Sequence, residues 1–416
     1  MFKSFVKMFV VSMMVIAITA PVALATTARV NSLANTGDYL NDDSNVFRWY
    51  ATLPSYSNLV MAEVGTLYDG RYAEHQALGV THACGEEGKY GTWGIFLMDY
   101  VSDDVFYSQV NHLMLPDYVD DPNIPSVPVN KFAIQWGKEF DGIAIGLGFT
   151  RSDKGVEDTT VDPANPKYNI SFTTLGAGIR ADVGENAYTD LAVTLGLAGG
   201  GMTDSTEFDK KMSLDFAGRL FWEWKEYATI IPVVDFGMYE FALDNYDPEH
   251  GEKGNWFNIG AALNMDVNTN NMLLLGLEVG KAKYEPSLPD TAASSWAESS
   301  TWWLPSIFLG LETDVKPWLT VRVASRKTLY KDTDKEVDGG EDMETSADFD
   351  WFLGCGFHVA EFDIDCQVSP EAPFSMGYWL TGYSAYQNYY YYSDKSSQQP
   401  GYDMAPIYRI SATYHY

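Results

Sequence analysis

Apolar side chains recur at every second position along most of the chain. Phe132, Ile134 and Trp136 alternate with Lys131, Ala133 and Gln135, and Ile143, Ile145, Leu147 and Phe149 alternate with Ala144, Gly146, Gly148 and Thr150. The same period runs through 191–197, 214–224, 273–279, 307–311, 319–323 and 351–359. A period of two is that of a strand with one apolar face, and a helix would show a period near 3.6. The pattern predicts strands of about 10 to 13 residues, the length of a tilted membrane-crossing strand. Aromatics fall near the strand ends, at Trp222 and Trp224, Trp302 and Trp303, Trp318 and Trp351, where a barrel carries its interfacial girdle.

The connections sharpen this reading. Short links are expected near 138–142, 182–187, 225–227, 268–271, 314–317 and 360–361. Long polar links fall between them, near 152–167, 200–210, 242–255, 283–301, 329–348 and 370–403. Strict alternation of short and long links is what short periplasmic turns and long extracellular loops produce. The fold class is therefore all-β, a transmembrane antiparallel β-barrel of about 14–16 strands. Sixteen strands can be placed between 59–67 and 404–416, including one at 228–241 that Pro232 interrupts; fourteen is the other count.

Before the first strand, Lys3 and Lys7, an apolar run over 8–20 and the A-x-A site at Ala23 to Ala25 read as a signal peptide over 1–25. Residues 26–57 form an N-terminal periplasmic segment or a plug in the lumen, and 58–416 the barrel. The expected location is the bacterial outer membrane.

Charge and composition narrow the function. The chain of 416 residues has 27 Lys and Arg against 57 Asp and Glu, a formal net charge of −30. That sign excludes nucleic acid as a partner, because phosphate backbones are held by clustered cations. Inward-facing positions nevertheless carry both signs: Lys131, Asp215, Arg219, Glu223, Asp235, Glu278, Glu312, Arg322, Arg326, His358, Asp363, Asp365 and Arg409. Glu278 and Glu312 opposite Arg322 and Arg326 fit either a transverse field across an open lumen or an internal ion-pair network. Glycines at alternate positions, as in 176–178 and 354–356, fit a closely packed inner wall.

No catalytic, cofactor or metal signature emerges. The six histidines are scattered, no G-x-S-x-G elbow occurs, and no enzyme activity or cofactor is expected. Asp332, Asp334, Glu336 and Asp338 have EF-hand-like spacing, but Val337 stands where that loop needs glycine, so 331–348 reads as a solvated acidic loop. Cys355 and Cys366 flank the link at 360–361 and should oppose each other on the lipid-facing side. A cross-strand disulfide and two unbonded thiols both fit that placement, and neither makes a metal site.

Two resemblances add to this. Tyr408, Ile410, Ala412, Tyr414 and Tyr416 alternate to an aromatic end, which resembles the C-terminal signal by which bacterial outer-membrane barrels are recognised by the barrel-assembly machinery. Residues 32–37 (SLANTG), 42–47 (DDSNVF) and Ala51 resemble the opening of the FadL family of hydrophobic-substrate transporters and its PorV-like relatives, although Arg48-Trp49-Tyr50-Ala51 replaces the family's Asn-Pro-Ala. This resemblance implies a 14-stranded barrel with an N-terminal plug that passes lipid-like molecules.

The expected partners are outer-membrane lipid, the assembly machinery, and a small-molecule solute or hydrophobic ligand. The leading expectation is passage of small molecules, as a hydrophobic-substrate transporter or a diffusion porin. The alternative is a non-conducting structural or secretion-accessory barrel whose long acidic loops, 370–403 with Tyr389 to Tyr392 above all, bind partners.

Overall fold

The computed structural model describes residues 27–65, 75–98, 131–156, 168–202, 206–209, 212–244, 250–287, 296–336, 340–368 and 407–416. The expected signal peptide, the expected 370–403 loop and Asp338 lie outside them. Among the described residues no helix is long and apolar enough to cross a membrane.

Seventeen strand stretches form one antiparallel sheet: β1 Leu59–Gly65, β2 His75–Ala83, β3 Thr92–Met98, β4 Lys131–Phe140, β5 Ile143–Val156, β6 Tyr168–Gly184, β7 Ala187–Met202, β8 Thr206–Asp209, β9 Met212–Lys225, β10 Ala228–Asp244, β11 His250–Asn268, β12 Asn271–Ser287, β13 Trp296–Lys316, β14 Leu319–Glu336, β15 Glu341–Val359, β16 Phe362–Val368 and β17 Ile407–His415. β8 and β9 follow one another in a single place between β7 and β10, so the strand positions number sixteen. β1 pairs with both β2 and β17, from Leu59↔His415 to Gly65↔Arg409, which closes the ring and leaves no free edge. The fourteen strands implied by the FadL-like opening are not what this chain forms.

The short links sit where the alternation breaks, each two residues long: 141–142, 185–186, 226–227, 269–270, 317–318 and 360–361. Gly142 takes φ 70° in the first of them, a conformation that favours glycine. Pro232 stays within β10 because the ladder to β9 steps over it: Ile230 pairs with Trp222 and Val233 with Arg219. Several strands exceed expectation. β13 has 21 residues and β11 and β15 have 19 each, about twice a membrane crossing.

The extra length lies on the side of the long links and consumes much of what sequence assigns to loops. The acidic run 331–348 is a clear case: it is largely a hairpin, with Lys335 opposite Glu341 and Asp332 opposite Glu344. The EF-hand-like spacing of Asp332, Asp334 and Glu336 therefore falls on an extended strand, where alternate residues share a face but stand about 6.6 Å apart and cannot converge on one ion.

The outward face is apolar. Ile95, Leu147, Leu191, Phe236, Ile259, Leu277, Leu309 and Trp351 are among its exposed side chains. Water would not tolerate such a belt on a soluble surface, whereas hydrocarbon matches it. Trp222, Trp224, Trp318 and Trp351 all face outward. Trp303 instead faces the lumen, where its Nε1 donates to Asn258 Oδ1 at 3.3 Å.

Inside lies the packed core, and much of it comes from residues 27–58. This segment is a short helix, α1 Thr27–Ser32, followed by three 3-10 turns, Gly37–Tyr39, Asp43–Phe47 and Tyr50–Tyr56. Ala34 and Asn35 take left-handed φ values of 64° and 56° and end α1, with the Asn35 amide returning to the Val30 carbonyl at 3.1 Å. Asp42 opens the second 3-10 turn as a reciprocal cap with Asn45. Leu33, Tyr39 and Leu40 pack on Phe221, Ile231, Leu274 and Phe308, while Val46, Phe47 and Leu53 pack on Met61, Phe96 and Met98. Each such fully buried large side chain contributes about 1.5–3 kcal/mol relative to exposure.

Candidate functional site: a lumen occupied by the N-terminal segment

Four groups of contacts tie 27–58 to the barrel wall. The first centres on Arg219 of β9, whose side chain is fully buried. Its Nε donates to Asp190 Oδ2 at 2.9 Å, its Nη1 to the carbonyls of Gly37, Asp38 and Leu40 at 3.3, 3.1 and 3.1 Å, and its Nη2 to Asn45 Oδ1 at 2.7 Å. The guanidinium also lies over the rings of Trp49 and Phe221, at 4.4 and 4.8 Å. Asp190 is shared with Arg180 at 2.6 Å. Arginine suits this position because its planar fork offers five donors in fixed directions.

The second group reverses the roles, with the segment supplying the cation. Arg48 pairs with Asp38 at 2.7 Å and with Asp235 and Asp215 on the wall at 2.8 and 3.6 Å. The third is a relay of alternating charge, Asp42–Arg29–Glu312–Arg322–Asp365, with successive separations of 2.8, 3.0, 2.5 and 2.5 Å. Beside it, Thr27 donates to Glu63, and Glu63 pairs with Arg409 at 3.4 Å.

The fourth group is steric. The ring of Tyr50 lies against Gly148 and Gly176, its backbone lies against Gly146, and its hydroxyl contacts Thr194 Oγ1 at 3.1 Å. Ser32 fills the space that a Cβ on Gly354 would take. These glycines are the closely packed wall that their alternate spacing suggests.

Most of the charged positions expected inside are found there. Lys131, Asp215, Arg219, Asp235, Glu278, Arg322, Asp365 and Arg409 are buried, and Glu312 and Arg326 are half-buried. Arg326 pairs with Glu278 at 3.4 Å, so the opposing Glu and Arg positions form ion pairs and not an open transverse field. Glu223 shares the inward parity of Asp215 and Arg219 but is exposed, two residues before the end of β9, beyond the part of the wall that the segment covers. His358 and Asp363 lie half-buried near the short-turn rim, where Asp363 joins His358 at 2.6 Å and His415 at 3.0 Å.

The cysteines stand directly opposite each other, as the register requires, and are unbonded. Cys366 is only 1% exposed, so neighbouring side chains cover it and it is not open to lipid. On β17, Ile410, Ala412 and Tyr414 face outward between the buried Arg409, Ser411 and Thr413.

Sequence reasoning missed Glu63, Arg180 and Asp190, although they share the inward parity of their strands. It also missed Arg29, Asp38, Asp42 and Arg48, for which no periodicity exists to read.

Asp43 adds a titration. Burial, and then the neighbouring Asp42 carboxylate, hold its carboxyl well above the usual range. Its Oδ2 accepts from Thr413 Oγ1 at 3.0 Å. With the pKa raised, the docked segment holds a proton that the released segment gives up. Docking is therefore full strength below the ordinary carboxylate range and weakens as pH rises toward the elevated value. Asp43→Asn keeps the acceptor for Thr413 and removes the charge. Hydrogen-exchange protection of 27–57 should fall as pH rises above the ordinary carboxylate range in the natural protein, and fall less in the variant.

The segment also encloses a small recess, about 30 Å³ in volume, among Val30, Asp38, Asn45, Phe47, Arg48 and Trp49. It has room for about two waters and none for a solute.

No family model matches the chain, and no curated protein matches it. Among solved structures it is similar to a Pseudomonas aeruginosa FadL homologue, at 11% identity over 95% of this chain and 99% of that one, with a TM-score of 0.39. It is similar to the Ralstonia pickettii toluene transporter TbuX at 8% identity over 92% and 95% of the two chains, with a TM-score of 0.36. It is also similar to the copper transporter OprC at 9% identity over 57% of this chain, with a TM-score of 0.41, and spans only 42% of that protein's length.

Proposed function

We propose that this protein is an outer-membrane barrel for the passage of a small molecule, with residues 27–57 as the gate of its lumen and the short turns on the periplasmic side. The observation that supports this reading is the way the segment is held. It fills the lumen, yet many of its attachments to the wall are ion pairs and hydrogen bonds rather than continuous apolar packing. A permanent filling would gain as much or more from apolar side chains, since buried charges carry a desolvation cost. Charged contacts can be exchanged for water or solute as the segment shifts.

The gated form therefore fits better than an open diffusion porin. The test compares the chain 26–416 with the chain 58–416 in planar bilayers, each checked for a folded barrel by its heat-modifiable gel mobility. The intact chain should stay closed except for brief openings, and the shortened chain should carry a steady current at least about tenfold larger. Steady conduction by the intact chain would sink the gate. Silence from both would favour a non-conducting structural barrel.

A further inference from the structure

The outer surface has a feature that passage through the lumen does not use. Along β11 to β14, toward the long links, the apolar belt gives way to lysines. Lys281 on β12, Trp302 on β13 and Lys331 on β14 stand in one row of the ladder and all face outward. The Lys281 ammonium lies 5.1 Å above the centre of the Trp302 ring, and the edge of Phe257 from β11 meets the same ring at 5.7 Å. Lys327 faces outward on β14 two steps nearer the belt, opposite Ile307.

Higher up, the carboxylates are already matched. Glu285 holds Lys253 and Lys283 at 2.6 and 2.5 Å, and Glu298 holds Lys283 and Lys335 at 2.9 Å each. Among the described residues, Lys281, Lys327 and Lys331 form no ion pair. Three uncommitted cations therefore sit at the edge of the apolar belt of a chain whose net charge is −30.

Strands are about 4.8 Å apart, so the Lys281 and Lys331 backbones lie about 10 Å from one another across Trp302. Flexible lysine stems can close that gap and lift their ammonium groups to headgroup level. A molecule that satisfies the whole surface has acyl chains to lie on Phe257, Trp302 and Ile307 and an anionic phosphate for the lysines. We propose that this face is a binding site for a phosphate-bearing lipid headgroup in the leaflet on the long-link side. The site also counters the repulsion that so acidic a protein meets from an anionic leaflet.

The test uses the chain 26–416 in detergent micelles doped with equal amounts of phosphatidylglycerol and phosphatidylcholine, with retained lipid counted by native mass spectrometry. The natural protein should retain phosphatidylglycerol in preference, and the triple variant K281Q/K327Q/K331Q should lose that preference about tenfold or more. The control K138Q/K225Q removes two lysines beside aromatics at the opposite rim, near Phe140 and Trp224, and should leave it unchanged. Heat-modifiable mobility confirms that each variant is folded. Equal retention by the triple variant and the natural protein overturns the proposal, as does equal loss in the control. Inorganic phosphate at millimolar concentration should not displace the lipid; complete displacement would mean a free-phosphate site and would overturn it too.

Discussion

Arg219→Met is expected to release the N-terminal segment while leaving the barrel closed around an emptier lumen. The side chain it removes serves Asp190, three backbone carbonyls and Asn45 at once, with the guanidinium fully buried between two aromatic rings. Methionine keeps the volume but not the donors. Truncating one partner of a buried charged contact typically costs about 3–5 kcal/mol, chiefly because the groups left behind are desolvated and unpaired. That corresponds to roughly two to four orders of magnitude in the docking equilibrium. Arg180 still neutralises Asp190 at 2.6 Å, so the wall itself should survive. The readout is hydrogen exchange over residues 27–57 together with single-channel recording. Arg326→Met is the comparison, because that side chain is 22% exposed and makes a longer pair with Glu278 at 3.4 Å. It should weaken docking far less. Equal effects from the two would mean that Arg219 is no special anchor.

The second large effect is steric. Gly146→Ala places a methyl group on the carbonyl of Tyr50 and the amide of Ala51. Those are backbone atoms, and no rotamer change can move them. Overpacking costs typically about 1–3 kcal/mol, and this site should lie at or above the upper end. At Gly148 and Gly176 the atoms nearest the added methyl all belong to the Tyr50 side chain, which a second substitution can remove. Tyr50→Ala should therefore rescue Gly176→Ala and fail to rescue Gly146→Ala. Gly184→Ala, with open space around the new methyl, is the neutral reference. Thermal unfolding of the four single and two double variants reads this out. Rescue of both sites by Tyr50→Ala would show that the ring, not the backbone, sets the fit.

The barrel was legible because its two governing signals are local. Alternation of apolar and polar residues reports which face meets lipid, and the breaks at 141–142, 226–227 and 360–361 report where the chain turns. The inward charges at Asp215, Arg219 and Arg322 follow from the same parity, yet their partners do not, since Arg219 bonds carbonyls about 180 residues away in sequence. The upper ends of the strands were hidden for another reason. Above Lys331 both faces of β14 and β15 meet water, so Asp332, Thr333 and Asp334 carry no apolar alternation to read. The N-terminal segment, built of short turns, has no period at all, and only its likeness to a known opening marked it.

The spread of the segment's contacts has a consequence for the order of assembly. Its anchors lie on strands from one side of the seam to the other: Glu63 on β1, Gly146 on β5, Thr194 on β7, Arg219 on β9, Glu312 on β13, Gly354 on β15 and Thr413 on β17. At the seam itself Thr27 touches both Glu63 and Arg409, residues that meet only when the first and last strands zip together. The berth for residues 27–57 does not exist on an open sheet. The stretch that precedes every strand in the chain is thus the last to find its place, and its burial marks the moment the ring is complete.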